Sequence, residues 1–188
     1  MFGDDGWCRS CGMPLRDQCG SLVLRTKGLA NVSGAWVPNW RFDAICLDGA
    51  VAQVVADGFE VSLMPVEWRG TAPVEGAAQI VVRSTAEPWF DPDELRRVTS
   101  ARHGVTGRRC DGCDRWRWMP VAADSLPRPR IDAGPDGEDV VASPEWFGDG
   151  WNSFREIAVR RPLAEVIAEA APKDLAIAEF ASSEIRTR

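Results

Sequence analysis

The sequence predicts an α+β protein made of two related halves. Each half begins with a knuckle, meaning a tight turn that carries a CxxC motif, and continues with a β-α-β unit. Two observations lead to this prediction: the motif occurs at residues 8–11 and again at residues 110–113, and the apolar pattern of residues 42–56 recurs at residues 154–168. We expect a shared zinc-ribbon-like site to join the two halves.

In the first half, apolar residues spaced along residues 40–47 predict a strand. Asp48 is a residue type that accepts hydrogen bonds from the first turn of a helix. The valines that follow have helical spacing up to Gly58, which can end the helix. Residues 59–63 alternate between apolar and polar and predict a second strand before Pro65.

The second half has the same order of elements. Residues 154–159 predict a strand, Pro162 suits the first turn of a helix, and residues 175–180 predict another strand. The two β-α-β units align at one constant offset along the sequence. The offset between the two CxxC motifs is about ten residues smaller. A longer loop in the second half, the Pro- and Gly-rich residues 124–145, explains the difference. The alternative is that any two β-α-β units share such an apolar pattern.

The middle of the chain connects the halves. Residues 1–70 form the N-terminal half, residues 71–107 the connecting segment and residues 108–188 the C-terminal half, and we expect them to pack as one compact unit. In the connecting segment, residues 79–83 predict a strand and residues 93–98 a short helix. With 188 residues, 45% of them hydrophobic, the chain can bury a core.

Four cysteines carry the clearest chemical signal. Zn²⁺ prefers thiolates at the corners of a tetrahedron, and one CxxC turn supplies two of them. We therefore predict one structural Zn²⁺ bound by Cys8, Cys11, Cys110 and Cys113. Such a closed site has no position for a reacting water molecule, so its role would be to tie the two halves together across a long loop.

Other uses of the cysteines stay open. A redox disulfide within one knuckle needs a thiol of lowered pKa at a helix N-terminus, and neither Pro14 nor the residues after Cys113 fit that context. Two independent metal sites, with Cys19 as an extra ligand of the first, are another alternative. Cys46 falls in the first predicted strand and is expected to be a buried apolar side chain.

Basic and aromatic residues surround the second knuckle. The candidates for contact with a nucleic acid or a partner are Arg108, Arg109, Arg115, Trp116, Arg117 and Trp118. Cationic and stacking side chains of this kind bind phosphates and bases. The alternative is an ion-pairing surface, because Asp111 and Asp114 offset part of the charge and the whole chain has a net charge of -6.

Other function classes are not expected from the sequence. No apolar run has the length of a membrane span, and the N-terminus lacks the pattern of a secretion signal, so we expect a cytoplasmic protein without membrane contact. His103 is the only histidine and is expected on a surface loop. The acidic residues form no catalytic arrangement, so we expect no enzymatic activity.

The arrangement of the motifs resembles the double-CxxCG motif family best known from myxobacteria. The resemblance rests on Cys-Arg-Ser-Cys-Gly at residues 8–12, Cys-Asp-Gly-Cys at residues 110–113 and the strand-helix-strand pattern of residues 154–180. Asp114 stands where the family has a Gly. Some members are named as immunity proteins against toxins delivered between neighbouring cells, so the resemblance implies a protein that neutralises a toxin.

These observations lead to one main hypothesis and two alternatives. We predict a non-enzymatic, zinc-stabilised protein that binds another protein, and the resemblance implies that this partner is a toxin domain. The first alternative is a zinc-ribbon nucleic-acid-binding protein that uses the Arg and Trp residues of 96–118. The second is an accessory subunit of an enzyme complex. An acidic surface would suit a basic protein partner.

Overall fold

The computed structural model describes residues 1–26, 32–38, 43–131, 137–148, 152–171, 175 and 177–180. Within these ranges the mixed α+β class is confirmed. In chain order the elements are β1 (Leu22–Arg25), β2 (Ala35–Trp36), β3 (Ile45–Leu47), α1 (Gly49–Gly58), β4 (Ser62–Arg69), β5 (Ala78–Val81), α2 (Pro92–His103), β6 (Gly107–Arg109), β7 (Trp116–Trp118), a 3-10 turn (Ala123–Ser125), β8 (Val140–Ala142), β9 (Trp146–Phe147), β10 (Ile157–Val159) and α3 (Arg161–Ala170). None of these helices is long and apolar enough to cross a membrane.

Five strands form one sheet in the order β1-β4-β5-β3-β2. β5 lies between β3 and β4 and is antiparallel to both. α1 therefore connects two strands that run in the same direction but are not neighbours. The β-α-β unit predicted for the first half is completed by a strand from the connecting segment.

β4 differs from the strand predicted at residues 59–63, because it runs through Pro65 instead of preceding it. The N–H of Val66 donates to the carbonyl of Ala77, the residue before β5, at 2.9 Å. By the alternation of an antiparallel ladder, the backbone groups of position 65 therefore point away from β5. On the other side, pairing of β4 with β1 begins only at Val66. Pro65 therefore interrupts no ladder hydrogen bond, and the strand tolerates it.

The three helices are confirmed, and their ends follow their capping residues. The Asp48 side chain accepts an N–H from the first turn of α1 at 3.0 Å, and α1 ends at Gly58 as predicted. α2 is longer than the helix predicted at residues 93–98: Asp91 caps its start, and Gly104 ends it in the left-handed conformation. α3 begins with the predicted proline in its first turn.

The predicted strands of the second half are shorter or missing. Of residues 154–159 only the last three form a strand, β10, which pairs antiparallel with β8. Residues 175 and 177–180 lie outside any strand, so the predicted second strand is not formed in the described part of this segment. The segment is apolar, but a strand also needs a neighbouring edge to pair with. In the first half, residues 40–42 of the predicted strand lie outside the described residues.

The segment of residues 124–145, predicted as a loop, contains β8. This strand lies between β10 and Ser84, which forms an isolated parallel bridge with Ala142. Residues 132–136 of the predicted loop are not among the described residues. A short strand at the end of the segment is compatible with its many prolines, because none of them falls within β8.

One strand and one helix of the first half resemble a strand and a helix of the second. β3 and α1 have the same lengths, and the same interval between them, as β10 and α3. The N–H of Asp48 donates to the carbonyl of Gly34 at 2.8 Å, and at the equivalent place the N–H of Arg160 donates to the carbonyl of Asp139 at 2.9 Å. β2 pairs antiparallel with β3 just as β8 does with β10.

The main core contains side chains from both halves. Its buried members include larger side chains from β3, β5, β8 and the helices α1 and α3: Leu47, Val55, Ile80, Val140, Leu163 and Ile167. A second core surrounds Phe147, whose ring stacks on Phe154 at 5.8 Å and meets Phe90 edge-on at 6.0 Å. A third, smaller core surrounds the cysteines of the two knuckles.

Candidate metal centre

The first knuckle is a short turn closed by an antiparallel bridge. The N–H of Cys8 donates to the carbonyl of Met13 at 2.8 Å, and the N–H of Gly12 donates to the carbonyl of Cys8 at 2.7 Å. Gly12 has a φ of 72°, in the left-handed region that glycine adopts without steric cost. These bonds hold Cys8 and Cys11 in fixed relative positions.

The second knuckle has the same hydrogen bonds and lies between β6 and β7. The N–H of Cys110 donates to the carbonyl of Arg115 at 3.0 Å, and the N–H of Asp114 donates to the carbonyl of Cys110 at 2.8 Å. Asp114 takes the place that Gly12 has in the first knuckle, and its φ is 59°. Among the described residues it is the one non-glycine residue with positive φ. The turn thus keeps its conformation although its glycine is replaced.

Replacing Asp114 with Gly should stabilise the protein slightly. Relief of the left-handed strain is expected to exceed the entropic cost of glycine by about 0.5 kcal/mol. The ion pair of Asp114 with Arg109, at 2.8 Å, would be lost, but it is exposed at both ends and contributes little. Thermal unfolding followed by circular dichroism should show a small rise in Tm for Asp114→Gly. Asp114→Ala, which loses the pair and keeps the strain, should show no rise, and equal Tm values for the two variants would contradict the explanation.

The fold brings the two knuckles together into one cluster of thiols. All four Sγ atoms lie within 4.8 Å of one another. The sulfurs of Cys8 and Cys110 are 3.8 Å apart, and those of Cys11 and Cys113 are 3.7 Å apart. A tetrahedral ion with metal–sulfur bonds of about 2.3 Å requires sulfur–sulfur distances of about 3.8 Å. The four residues predicted from the motif spacing therefore fit a single four-thiolate metal site.

Backbone N–H groups favour negative charge on the first cysteine of each knuckle. Burial by itself raises the pKa of Cys8, but hydrogen bonds from N–H groups of its own turn, that of Cys11 first among them, lower the pKa to about 6. The N–H of Gly112, 3.3 Å from Sγ, is the main cause of the lowered pKa of Cys110. Burial raises the pKa of Cys11 to about 12 and also raises that of Cys113. A bound cation would favour the thiolate at all four positions.

Close contact between the knuckles depends on Gly112. A Cβ atom at this position would collide with Oγ of Ser10 and would lie 3.3 Å from Sγ of Cys8. Met13 and Trp146, both buried, pack against the cysteines. These apolar side chains keep water away from one side of the cluster, which favours a permanently bound ion.

Arg115 links the second knuckle to the first. Its Nη1 and Nη2 atoms donate to the carbonyls of Pro14 and Leu15, at 2.6 Å and 3.1 Å. Arg115 is predicted as a surface contact for a nucleic acid or a partner, whereas in the structure its donors are used within the molecule. The guanidinium reaches both carbonyls because its fork presents several N–H groups in one plane.

Arg115→Ala should therefore destabilise the metal-loaded protein by about 1–3 kcal/mol, because two carbonyls of the first knuckle lose charged donors. Arg109→Ala is the matched control. Arg109 is exposed, and its described side-chain hydrogen bond goes to Asp114, within its own knuckle. Urea unfolding should show a lower midpoint for Arg115→Ala and little change for Arg109→Ala. Equal midpoints for the two variants would argue against the link.

The other basic and aromatic candidates are divided between the surface and the interior. Arg117 is only 4% exposed, and the alternation of β7 directs it to the side opposite Trp116 and Trp118. The two indole rings meet edge-on, with centroids 5.6 Å apart. Arg108 and Arg109 remain exposed. The prediction of a six-residue contact surface is therefore corrected for Arg117, whose guanidinium is inside the protein.

The remaining cysteines and the histidine lie outside the cluster. Cys46 is fully buried in β3, as expected, and burial raises its pKa to about 12. Cys19 is exposed, and its thiol contacts the carbonyl of Met1 at 3.7 Å, so it does not act as an extra ligand here. His103 is the last residue of α2 and not a loop residue, and its Nε2 bonds the carbonyl of Pro120 at 2.7 Å.

Residues that border the cluster carry no signal in the sequence. The guanidinium carbon of Arg155 lies 5.1 Å from the ring centroid of Trp146, and Nε of Arg155 is 3.5 Å from a carboxylate oxygen of the buried Asp43. All three residues line a largely polar cavity of about 220 Å³ beside the first knuckle. Asp43 is far from Trp146 and Arg155 along the chain, so only the folded structure shows that the three residues meet.

The fold and the cluster together define an α+β protein with a zinc-ribbon-like four-cysteine centre. Comparison of the chain with protein-family models, with curated proteins and with solved structures gives no match. The resemblance to the double-CxxCG motif family therefore stays a prediction that rests on the motifs alone.

Proposed function

We propose that the cluster binds one structural Zn²⁺, which joins the two knuckles. The sulfur distances of 3.7 Å and 3.8 Å carry this proposal, since they equal the spacing in tetrahedral zinc–thiolate sites. Four thiolates leave no coordination position for water, so the metal has a structural and not a hydrolytic role. The ion closes a long loop between residues 11 and 110, which makes folding dependent on metal.

Elemental analysis tests the metal. The purified protein is expected to contain about one zinc per chain. Replacement by Co²⁺ should produce the visible absorption of tetrahedral thiolate coordination, because this metal accepts the same geometry. Full retention of metal in the double variant Cys8→Ser/Cys113→Ser would rule out the shared site.

We also propose that the two halves arose by duplication, with the zinc ion as a clasp between them. The matching hydrogen bonds of the two knuckles support this, as do the equal intervals of β3–α1 and β10–α3. Sequence profiles built separately for each half from homologues should match each other. A match no better than that between unrelated β-α-β units would count against duplication.

The activity that we propose is the binding of another protein, without chemistry at the metal. The closed coordination sphere supports a structural role for the ion, and the net charge of -6 would attract a basic partner. The resemblance to the double-CxxCG motif family implies that this partner is a toxin domain. We therefore propose an immunity protein that neutralises a toxin by direct contact.

Growth rescue tests this function. Toxin-like genes that neighbour this gene are expressed alone and together with it, and co-expression should restore growth for one of them. The Cys8→Ser variant should fail to rescue, whereas Cys19→Ser, which changes an exposed thiol outside the cluster, should succeed. Failure of rescue with every neighbouring candidate would contradict the immunity function.

A nucleic-acid-binding function is the second candidate. It is favoured by Arg109 and Trp116, which pair across β6 and β7 and are both exposed on one face of this hairpin. Arg108 is exposed as well, but it pairs with Arg117 on the other face. It is weakened by the internal roles of Arg115 and Arg117. Salt-dependent binding of DNA or RNA that is lost in the variant Arg108→Ala/Arg109→Ala would favour this candidate.

A further inference from the structure

In the first half, β3 is paired with a neighbouring strand on each of its two edges. This strand has β2 on one edge and β5 on the other, and it is antiparallel to both. The N–H of Asp48, one residue after β3, bonds to the β2 side. The alternation of the ladder therefore directs the backbone groups of Ile45 and Leu47 towards β5. β5 fills the gap between β3 and β4.

β10 corresponds to β3 but is paired on one edge only in the described part of the chain, where β8 is its single partner strand. Backbone groups of Glu156 and Arg160, on either side of β10, bond the β8 segment at 2.8 Å and 2.9 Å. These bonds set the alternation of the ladder. The N–H and C=O groups of Ile157 and Val159 consequently point away from β8, towards the open edge.

An apolar groove of about 520 Å³ runs along this open edge. β10 forms one side of it, and side chains of α3, among them Ile167, contribute to its lining. Leu175, Ile177 and Phe180 also line it, and they belong to the segment that follows α3 as β4 follows α1. Ile177 is 49% exposed and Phe180 is 43% exposed. Large apolar side chains beside a strand edge that no described residue pairs with form a surface that a further strand would cover.

We propose that an extended, apolar strand of a partner protein docks in this groove and pairs with β10, in the place that β5 takes beside β3. The occupant resembles β5, which is uncharged and carries β-branched side chains at Ile80 and Val81. Backbone groups of Ile157 and Val159 supply the hydrogen bonds, and the apolar lining holds the side chains. This inference rests on the proposed protein-binding function and assigns a surface to it.

A fluorescent peptide with the sequence of residues 76–83, which contains β5, is the probe. It should bind the full-length, zinc-loaded chain in fluorescence anisotropy. Hydrogen exchange measured by NMR should slow at the amides of Ile157 and Val159 by at least about tenfold in the complex. The amide of Ala158 already faces β8 and should change little. The same peptide with the substitution I80P lacks a required N–H donor and should not bind.

Variants of the protein locate the binding site. Ile177→Asp places a charge in the groove and should weaken peptide binding by at least about tenfold, because the carboxylate would lose water on binding. Val105→Asp is the matched control: Val105 is 54% exposed, like Ile177 it is a large apolar residue, and it lies outside the groove. This variant should bind the peptide as the wild type does.

Several results would overturn the proposal. They are absence of peptide binding, binding without protection of Ile157 and Val159, and equal effects of the two aspartate variants. Protection of both amides in the free monomer would mean that the edge is already paired, and protection only in a dimer would assign the groove to a second copy of the chain. None of these readouts involves a toxin or growth, so failure of this inference can be distinguished from failure of the proposed function.

Discussion

Replacement of Cys8 by serine is expected to remove the metal and to unfold most of the protein. Serine is a poor zinc ligand, and three thiols cannot close the coordination sphere. A structural zinc ion contributes on the order of 10 kcal/mol to the folding of small zinc domains, which is comparable to the whole stability of a typical domain. Because the cluster joins residues 8–11 to residues 110–113, its loss releases both knuckles at once. Zinc content and the Tm from circular dichroism measure the effect.

Cys19→Ser is the matched control for this experiment. Cys19 belongs to the same N-terminal segment, but it is exposed and lies outside the cluster. This variant should keep its zinc and its Tm. Cys46 would be a poor control, because it is fully buried and a serine there would leave a hydroxyl in the core. If Cys8→Ser matched Cys19→Ser in zinc content and Tm, the cluster could not be a structural metal site.

Phe147→Ala is expected to destabilise the protein by about 3–5 kcal/mol, the cost of removing a fully buried phenylalanine and leaving a cavity. Phe147 has no exposed surface, stacks on Phe154 and meets Phe90 edge-on. It belongs to β9, which pairs with β7, the strand that follows the second knuckle. The loss should appear as a lower midpoint in urea unfolding, with a slope like that of the wild type.

Trp116→Ala serves as the control for this second prediction. Trp116 is also aromatic and lies in the same three-stranded sheet, but it is 36% exposed, so its removal should cost much less. Phe147→Ala should also keep its zinc under native conditions, which separates a packing defect from loss of a ligand. Equal midpoints for the two variants would show that the second core does not depend on Phe147.

The elements that were predicted correctly depend on local chemistry. Asp48 and Gly58 delimit α1 because capping acts within one turn of a helix, so a few neighbouring residues determine it. The burial of Cys46 follows from its place in an apolar strand. The two CxxC motifs likewise make their own turns, and the matching hydrogen bonds of the two knuckles are formed within each of them.

Strand boundaries could not be derived in the same way. β4 runs through Pro65 because neither neighbouring strand needs an N–H at that position. Residues 177–180 have a strand-like pattern but form no strand, since a strand exists only where another edge accepts its hydrogen bonds. Both outcomes depend on which segments become neighbours in the sheet, and that information is spread over the whole chain.

The sequence by itself determined the four thiols, the spacing of each pair and the helices, because these features arise from interactions within a few residues. The tertiary structure decided that both pairs meet in one cluster with sulfur distances suited to a tetrahedral metal. It also decided that Arg115 bonds the opposite knuckle and that Arg117 is buried, although both are charged. The physical reason is that burial and long-range hydrogen bonds depend on which chain segments lie next to each side chain in space.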